Sequence, residues 1–310
     1  MLTKEEKINK IRQLKKEKNV IILAHYYQDG DIQDIADFVG DSLALSQRAT
    51  QVDEDVIMFC GVHFMAETAK ILNPTKKVII PDLDAGCSLA DSAKPDEFKQ
   101  WVDQYPDSVV VTYINSTAEI KAMSDLICTS SNAVKIVESI PKEKQVLFAP
   151  DKFLGAFVRQ ATGRDLVLWN GTCQVHEMFS EEKVIILMND HPDAVVLAHP
   201  ECPPNILKYA HIIGSTTKII DTAVNSKDNK FIILTEPGVI HEMKKRAPHK
   251  TYLEVPNLDG CSCNECPYMR LNTLDKIIKS FETLQPEVNV PEDIRKKALL
   301  PIKRMLEISK

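Results

Sequence analysis

A pattern that occurs three times along the chain constrains the fold more than any other feature. Its copies begin at residues 23, 111 and 197 and read LAHYYQDGDIQDIADFVGDSL, VTYINSTAEIKAMSDLICTSS and LAHPECPPNILKYAHIIGSTT. In each copy a short run of β-branched residues is followed by a polar ring, which is His25, Tyr113 or His199. Polar residues repeated in register predict repeated structural units, which sets the architecture before any single motif is considered.

Further positions keep this register. Two residues after the ring stand Tyr27, Asn115 and Glu201, and seventeen residues after it stand Ser42, Ser130 and Thr216. The second half of each unit closes on a cysteine near the end of a last apolar run: Cys87, Cys173 and Cys261, with Cys263 and Cys266 just behind. Three units that each close on a cysteine predict a pseudo-threefold protein whose thiols meet on the axis.

Strand and helix signals alternate within each unit. In the first unit they predict strands at 20–23, near 39, at 56–59 and at 78–80, and helices at 32–38, 44–50 and 64–72. Continuous Val/Ile/Leu strands indicate parallel sheets covered on both faces, with right-handed crossovers. The expected fold is therefore α/β, with three homologous αβα three-layer domains, each with a parallel four-stranded sheet, around a pseudo-threefold axis.

The expected domains are residues 1–105 with an N-terminal helix, 106–190, and 191–310 with closing helices. Helical spacing of apolar residues predicts an amphipathic helix at 3–18 and further helices within 271–309. Pro301 is expected to break or kink the last of them.

Composition excludes some classes of function. The formal net charge is −6 and the pI is about 5.8, which argues against a nucleic-acid partner. No apolar run approaches the roughly twenty residues that span a bilayer, so no membrane partner is expected. The basic N-terminus lacks the apolar segment of a secretory signal. The chain is therefore predicted to be cytoplasmic, and its eight cysteines to be thiols or ligands and not a disulfide scaffold.

The repeat residues are expected to converge on one edge. Ligands of open parallel sheets bind beyond the carboxyl ends of the strands, which is where His25, Tyr113 and His199 fall. The hydroxyl residues Ser42, Ser130 and Thr216 are expected just before helices, where they can cap the helix while free N–H groups bind an anion. Each ring also has a simpler interpretation as a hydrogen-bonded structural residue, and each hydroxyl as a plain N-cap.

The cysteines carry the most specific local signal, C-S-C-N-E-C at 261–266. Clustered thiols are typical of metal sites and redox pairs. A structural zinc site would require four ligands, whereas one thiolate from each of three units leaves a coordination position empty and suits an iron–sulfur cluster with an open iron. Cys60, Cys128 and Cys202 are better interpreted as small buried apolar residues.

With these residues in view, the sequence resembles the quinolinate synthase (NadA) family over nearly its whole length. The motifs that carry the resemblance are AHYYQ (24–28), GDSLALS (40–46), YINSTAE (113–119), CTSSNA (128–133), HPEC (199–202), GSTT (214–217) and CPYM (266–269). The resemblance implies a [4Fe–4S] cluster on three cysteines, with the fourth iron free to act as a Lewis acid. It implies condensation of iminoaspartate with dihydroxyacetone phosphate to quinolinate, releasing phosphate and two waters, in NAD biosynthesis.

The resemblance also assigns cluster ligands, which look like Cys87, Cys173 and Cys266. The repeat by itself aligns Cys261 with Cys87, so the two readings differ at the third ligand, and the family motif favours Cys266. Related sequences have C-x-x-C-x-x-C where this chain has C-x-C-x-x-C, which puts a role for Cys261 in doubt. Cys263 and Cys266 remain a pair that could form a regulatory disulfide.

By the same resemblance Glu201 is the leading proton carrier, with a pKa expected to be raised by bound anions and partial burial. His199, Tyr27, His25 and Tyr113 are expected to orient and polarise the substrates. The expected substrate-binding residues are His25, Ser42, Tyr113, Asn115, Ser130, His199, Glu201, Ser215 and Thr216. An L-aspartate oxidase or aspartate dehydrogenase would supply iminoaspartate. Two alternatives remain open: another iron–sulfur hydro-lyase for a small hydroxy acid, and a non-catalytic metal-carrying or redox-sensing protein.

Overall fold

The computed structural model describes residues 2–256 and 264–310, and within them twelve strands form three parallel sheets of four. The first sheet consists of β1 (Val20–His25), β2 (Phe38–Gly40), β3 (Val56–Cys60) and β4 (Lys77–Ile79). The second consists of β5 (Val109–Tyr113), β6 (Leu126–Cys128), β7 (Val146–Ala149) and β8 (Leu166–Leu168). The third consists of β9 (Val195–Ala198), β10 (Ile212–Ile213), β11 (Lys230–Leu234) and β12 (Thr251–Glu254). The predicted α/β class with three four-stranded parallel sheets is confirmed.

Helices connect and cover the strands. Before and within the first sheet's segment lie α1 (Lys4–Glu17), α2 (Gly30–Ile35), α3 (Ser42–Ala49), α4 (His63–Leu72), α5 (Ser88–Asp91) and α6 (Pro95–Asp103). The second segment has α7 (Ala118–Ala122), α8 (Ala133–Glu138), α9 (Lys152–Thr162), α10 (Gln174–Glu177) and α11 (Glu181–Asp190). The third has α12 (Pro204–Leu207), α13 (Thr216–Asn225), α14 (Val239–Arg246), α15 (Leu274–Thr283) and α16 (Glu292–Ile308).

Each sheet has the same strand order, and this order positions the site. The orders are β2-β1-β3-β4, β6-β5-β7-β8 and β10-β9-β11-β12, so the first strand of each set lies beside the third. The crossover direction reverses between these two strands, and ligands bind at such a switch point, beyond the carboxyl ends. The residues that end the first and third strands of all three sheets are therefore the candidates for a site.

Both faces of the sheets are buried, as the continuous apolar strands predicted. In β9, Val196 and Ala198 belong to one apolar cluster, whereas Leu197 belongs to another on the opposite face. Successive strand side chains point to opposite faces, so neither face of this strand is left to solvent. The three-layer arrangement follows from this two-sided burial. The predicted boundaries at residues 105 and 190 stay a prediction.

The terminal helices behave largely as their spacing predicted. Thr3 caps α1 through a capping box with Glu6, and Ile11 packs in a cluster with Ile277 and Phe281 of α15. Pro301 was predicted to break or kink the last helix, and a break is excluded, because α16 continues through it. Pro301 is buried on the side of α16 that packs on the core, and this packing offsets the backbone hydrogen bond that proline removes.

One smaller difference concerns an element outside the site. The helix expected at 32–38 ends at Ile35, because Phe38 begins the edge strand β2. None of the helices in the described part of the chain combines the length and the apolar composition that a bilayer crossing requires.

Candidate active site

The three ring residues of the repeat line one cavity. His25 ends β1, Tyr113 ends β5 and His199 directly follows β9, and all three side chains are buried. The parallel sheets thus present equivalent strand ends to a common space, as the repeat predicted. This cavity is the candidate active site.

The two histidines share one local geometry. The backbone N–H of Tyr27 donates to Nδ1 of His25 at 3.1 Å, and that of Glu201 donates to Nδ1 of His199 at 3.4 Å. Burial lowers the pKa of His25 to about 4 and that of His199 to about 3. With Nδ1 accepting, we assign the remaining proton to Nε2 in both rings. Both histidines are therefore neutral hydrogen-bond donors at neutral pH.

Glu201 is a buried carboxylate with two strong donors. Its Oε1 accepts from the hydroxyl of Tyr113 at 2.6 Å, and its Oε2 lies 2.8 Å from Nδ1 of His176. Burial raises the pKa of Glu201, but the nearby imidazoles of His176 and His199 and these two hydrogen bonds outweigh burial and hold it below its usual range. The expected rise of this pKa was therefore wrong for the protein without substrate, and the carboxylate is ionised.

His176 is a site residue that the repeat did not reveal. It lies in α10, three residues after Cys173, and its ring stacks on His199 with centroids 4.8 Å apart. Its Nε2 lies 3.0 Å from the hydroxyl of Thr235, and its Nδ1 also lies 3.3 Å from Sγ of Cys173. With Nδ1–H donating to Glu201, Nε2 accepts from Thr235. His176 therefore connects a carboxylate, a thiol and a hydroxyl.

A chain of hydroxyls extends from His176 to the first copy of the repeat. The phenol of Tyr27 lies 2.8 Å from Oγ1 of Thr235, and Oγ1 of Thr216 donates to the phenol at 3.1 Å. Burial raises the pKa of Tyr27 well above its ordinary value, so the phenol keeps its proton. The described contacts thus form a continuous hydrogen-bonded path from Thr216 through Tyr27, Thr235 and His176 to Glu201.

The hydroxyl residues lie at the cavity, but not all where they were expected in their helices. Ser42 and Thr216 are the first residues of α3 and α13, whereas the N-caps are Asp41 and Ser215. Ser130 precedes the N-cap of α8 by two residues. The hydroxyls at 42, 130 and 216 line the cavity, and in α3 and α13 other side chains supply the cap, so these hydroxyls can face a ligand. That of Thr216 also donates to the phenol of Tyr27.

Two further predicted binding residues differ in their surroundings. Ser215 is not part of the cavity lining, and its Oγ accepts from the N–H of Lys218 at 3.3 Å. Asn115 lines the cavity, and its Oδ1 is buried with no hydrogen-bond partner among the described residues. A buried polar atom without a partner carries a free-energy cost, so Asn115 is suited to receive a donor from a ligand.

Three thiols from three segments line the same cavity: Cys87, Cys173 and Cys266. Cys87 precedes α5 and Cys173 precedes α10, which are equivalent positions after the last strands of the first two sheets. Burial raises the pKa of Cys87 to about 12 and that of Cys266 to about 11, and the negative charges of Cys266 and Glu201 contribute to the rise at Cys87. Such a pocket favours thiolates only when a cation shares it.

The other cysteines divide as predicted where the structure describes them. Cys60 and Cys128 lie within strands, and Cys202 donates to a backbone carbonyl at 3.4 Å; all three are fully buried outside the cavity lining. Cys261 and Cys263 lie outside the described residues, so their predicted alignment and pairing stay predictions.

The protein-family comparison decides what this site belongs to. A family model described as "NadA: Quinolinate synthetase A protein" matches residues 9–307. The chain belongs to the NadA family. Two similar proteins are the quinolinate synthases of Microcystis aeruginosa (strain NIES-843 / IAM M-2473), 60% identical over 299 residues, and Trichodesmium erythraeum (strain IMS101), 58% identical over 299 residues. The alignments cover 96% of this chain and 94% and 93% of those proteins.

A third relative extends the match almost to both ends. The quinolinate synthase of Prochlorococcus marinus (strain MIT 9303) is 56% identical over 306 residues, which is 99% of this chain and 92% of that protein. The resemblance inferred from the motifs is therefore confirmed over nearly the full length.

Cys266 is held by the buried carboxyl group of Glu236 and the partly exposed side chain of Arg270, neither of which the sequence pattern revealed. Glu236 is fully buried, and its Oε1 accepts from Arg270 at 2.8 Å and from the N–H of Cys266 at 3.3 Å. Arg270 also donates to the backbone carbonyl of Tyr27 at 3.1 Å. Burial raises the pKa of Glu236 to about 8, with Arg270 opposing the rise. The segment that carries Cys266 is thereby joined to the end of β11 and to the residues after β1.

Thr235 and Glu236 could have been found from the strand order. Both directly follow β11, the third strand of its set, whose carboxyl end lies beside that of the first strand. His176 gave a weaker signal, namely a histidine one helical turn after a candidate ligand. Cys173, His176 and Glu201 each offer an atom within 4.8 Å of the others, so they form a group that could hold a metal ion.

Proposed function

We propose that this chain is a quinolinate synthase, which condenses iminoaspartate with dihydroxyacetone phosphate to quinolinate, releasing phosphate and two waters, in NAD biosynthesis. The observation that carries the proposal is the joint lining of one cavity by three thiols and the Tyr113–Glu201–His176 network. The quinolinate synthases that match over nearly their full length support it. The reaction has no net redox change, so it requires proton transfers, positioning and charge stabilisation.

The donor set fits a [4Fe–4S] cluster with one iron that no thiolate binds. Cys87, Cys173 and Cys266 would hold it, because one thiol comes from each of three segments and all three line the cavity. Three thiolates leave a fourth position for substrate. When bound, the cluster would supply Lewis-acid chemistry through that open iron.

The proton transfers are assigned to Glu201, with His176 as its hydrogen-bond donor. The ionised carboxylate of Glu201 can take a proton from a carbon acid, and Nδ1–H of His176, 2.8 Å from Oε2, stabilises the carboxylate before it takes the proton and after it returns it. The hydroxyl of Tyr113 donates to the other carboxylate oxygen, which keeps Oε2 directed at His176. Glu201 therefore acts first as a base and returns the proton in the dehydration steps.

The neutral histidines and the hydroxyls are assigned to binding. Nε2–H of His25 and of His199 would donate hydrogen bonds to carbonyl and carboxylate oxygens of the substrates. Because both rings are neutral, they add no positive charge, which would stabilise the bound substrates as strongly as the transition state. Ser42, Ser130 and Thr216 would bind carboxylate and phosphate groups, and Asn115 would accept a donor such as the imine N–H. In this proposal Ser215 acts indirectly, since it caps α13.

The remaining parts of the proposal concern surroundings. The substrates are small molecules, and an L-aspartate oxidase or aspartate dehydrogenase would supply iminoaspartate. A cytoplasmic location agrees with cysteines that must stay reduced to bind a cluster. The division into residues 1–105, 106–190 and 191–310 is kept as part of this proposal, since each range contains one sheet.

The decisive experiment is anaerobic purification followed by an iron count and an assay for quinolinate on the same sample. We expect about four irons per chain, as one cubane gives, together with quinolinate formation from the two substrates. Iron without quinolinate, but with dehydration of a hydroxy acid, would instead indicate an iron–sulfur hydro-lyase. A colourless protein that retains activity with zinc would contradict the cluster.

A further inference from the structure

Asp41 is a buried carboxylate that contacts all three copies of the repeat. Its Oδ1 accepts from the N–H of Ala44 at 2.9 Å and so caps α3. Its Oδ2 accepts from the hydroxyl of Ser131 at 2.8 Å and from that of Thr217 at 2.7 Å. Ser131 belongs to the second copy and Thr217 to the third. One side chain of the first copy is therefore hydrogen bonded to both of the others.

The repeat makes this arrangement asymmetric. Thr129 and Ser215 occupy the positions equivalent to Asp41, and each accepts a backbone N–H within its own copy. Ser215 is the N-cap of α13, so an uncharged hydroxyl is sufficient for a capping role. A carboxylate beside a cavity for anions would repel them, so its presence at position 41 requires another purpose. The two hydroxyls from the other copies supply that purpose.

The residues that donate to Asp41 also differ between the copies. Ser131 and Thr217 occupy equivalent positions in the second and third copies, and the equivalent residue in the first copy is Leu43. The first copy therefore provides the acceptor and no donor, whereas each of the other copies provides a donor. Hydrogen bonds to a charged acceptor are roughly twice as strong as neutral ones, so this set is well suited to hold three segments together.

Each of these contacts lies next to a cavity hydroxyl. Asp41 precedes Ser42, and the two donors follow Ser130 and Thr216. A displacement of about 1 Å of a binding group is sufficient to weaken catalysis strongly. We propose that Asp41 is a positioning residue, which holds Ser131 and Thr217 so that the hydroxyls at 42, 130 and 216 face a single anionic substrate together. This inference rests on the proposed function, which makes those hydroxyls the anion-binding groups.

The test uses variants that separate the cap from the contacts between copies. Asp41→Ser keeps a capping hydroxyl, as Ser215 does in α13, but removes the acceptor for the two donors. Ser131→Ala with Thr217→Val removes the donors and leaves the carboxylate and its cap in place. Ser139→Ala is the matched control, because Ser139 is an exposed serine whose hydroxyl donates to a carbonyl of its own helical turn at 2.7 Å.

We expect Asp41→Ser and the Ser131/Thr217 double variant each to raise KM for dihydroxyacetone phosphate about tenfold, which corresponds to the loss of one good hydrogen bond. Their kcat should fall less than threefold, and their iron content should equal that of the unsubstituted protein. Asp41→Ser and the double variant remove the same contacts. The triple variant that combines them should therefore have a KM no higher than that of the double variant. Ser139→Ala should change neither constant.

Binding of inorganic phosphate, measured by titration calorimetry on the same samples, separates this inference from the proposed function. Absence of quinolinate formation by the unsubstituted protein would overturn the function, while a weaker phosphate affinity in both variants would still support positioning by Asp41. If the double variant kept the original KM and phosphate affinity, the inference would be overturned. Additive losses in the triple variant would overturn it too, because they would show that Asp41 acts by another route.

Discussion

The strand ends of the first and third sheets have the same backbone geometry and different chemistry. In both, a backbone N–H two residues after the ring donates to Nδ1 of a buried histidine, His25 or His199. The side chain at that second position is the phenol of Tyr27 in the first sheet and the carboxylate of Glu201 in the third. The phenol bonds neutral hydroxyls, whereas the carboxylate bonds a phenol and an imidazole.

This difference shows how a symmetric scaffold supports an asymmetric reaction. The repeated strand order places equivalent side chains at one cavity, and one substitution among them introduces the negative charge that can accept a proton. The neighbours then adjust the chemistry, because Tyr113 and His176 stabilise the ionised form of Glu201. If this is correct, substitutions at Glu201 should change turnover without changing the positions of the other cavity residues.

The largest effect is expected at the cysteines that close the three segments. Replacing Cys87, Cys173 or Cys266 by serine should each abolish iron binding, since two thiolates do not retain a cubane of this kind. Serine at Cys60, Cys128 or Cys202 should leave the iron count unchanged, because these thiols lie outside the cavity lining. Iron per chain and the visible absorption spectrum are the measurements. Iron retained in Cys266→Ser but lost in Cys261→Ser would favour the alignment of the repeat over the family motif.

The second effect concerns the carboxylate that distinguishes the third strand end. Glu201→Gln keeps the size of the side chain and removes its charge, so iron content and substrate binding should persist. Turnover should fall by ~10²–10⁴-fold, which is typical of a lost general acid–base group. Quinolinate formation is measured beside an iron count on the same sample. Turnover near that of the unsubstituted protein, with full iron, would make Glu201 a structural residue.

The third effect is a dependence of folding stability on pH, which arises from the buried histidines at the two strand ends. Burial lowers the pKa of His25 to about 4 and of His199 to about 3, so the unfolded chain binds more protons than the folded chain below pH ~6.5. The contribution of each of these histidines to stability should therefore fall by about 2 kcal/mol as the pH drops from 7 to 5.

The measurement is urea unfolding of the iron-free protein at several pH values. His25→Asn should remove the contribution of one histidine, about 2 kcal/mol between pH 7 and 5, while His249→Asn, at an exposed position, should leave the pH dependence unchanged. The carboxylate of Glu201 contributes little to this window, because an ordinary glutamate is largely ionised down to pH 5 in the unfolded chain as well. Glu236, whose pKa burial raises to about 8, contributes with the opposite sign, so the comparison of variants and not the total slope is the measurement. The same pH dependence in His25→Asn and in the unsubstituted protein would contradict a neutral, buried His25.

The sequence predicted most of the fold because the repeat and the apolar strands act over whole segments. It placed the ring residues, the cavity hydroxyls and the thiols at the correct edge, since strand ends follow from periodicity. Glu236 also follows from the strand order, because it lies just after β11. His176 could not be found in this way, because it reaches Glu201 through a contact between segments far apart in the chain. The predicted direction of the Glu201 pKa shift was wrong for the protein without substrate for the same reason, since His176 lowers that pKa.

The smallest effect is expected at Thr235, which joins the two strand ends. Its hydroxyl lies 2.8 Å from the phenol of Tyr27 and 3.0 Å from Nε2 of His176, so it is the described link between the first sheet's phenol and the third sheet's carboxylate. Thr235→Val preserves shape and removes both hydrogen bonds, together worth about 2 kcal/mol, so kcat should fall about thirtyfold with unchanged iron. Thr235→Ser keeps the hydroxyl and should remain within about threefold of the unsubstituted protein, since only a methyl group is lost. If valine and serine behave alike, the hydroxyl does not connect the two regions, and the strand ends act independently despite their shared geometry.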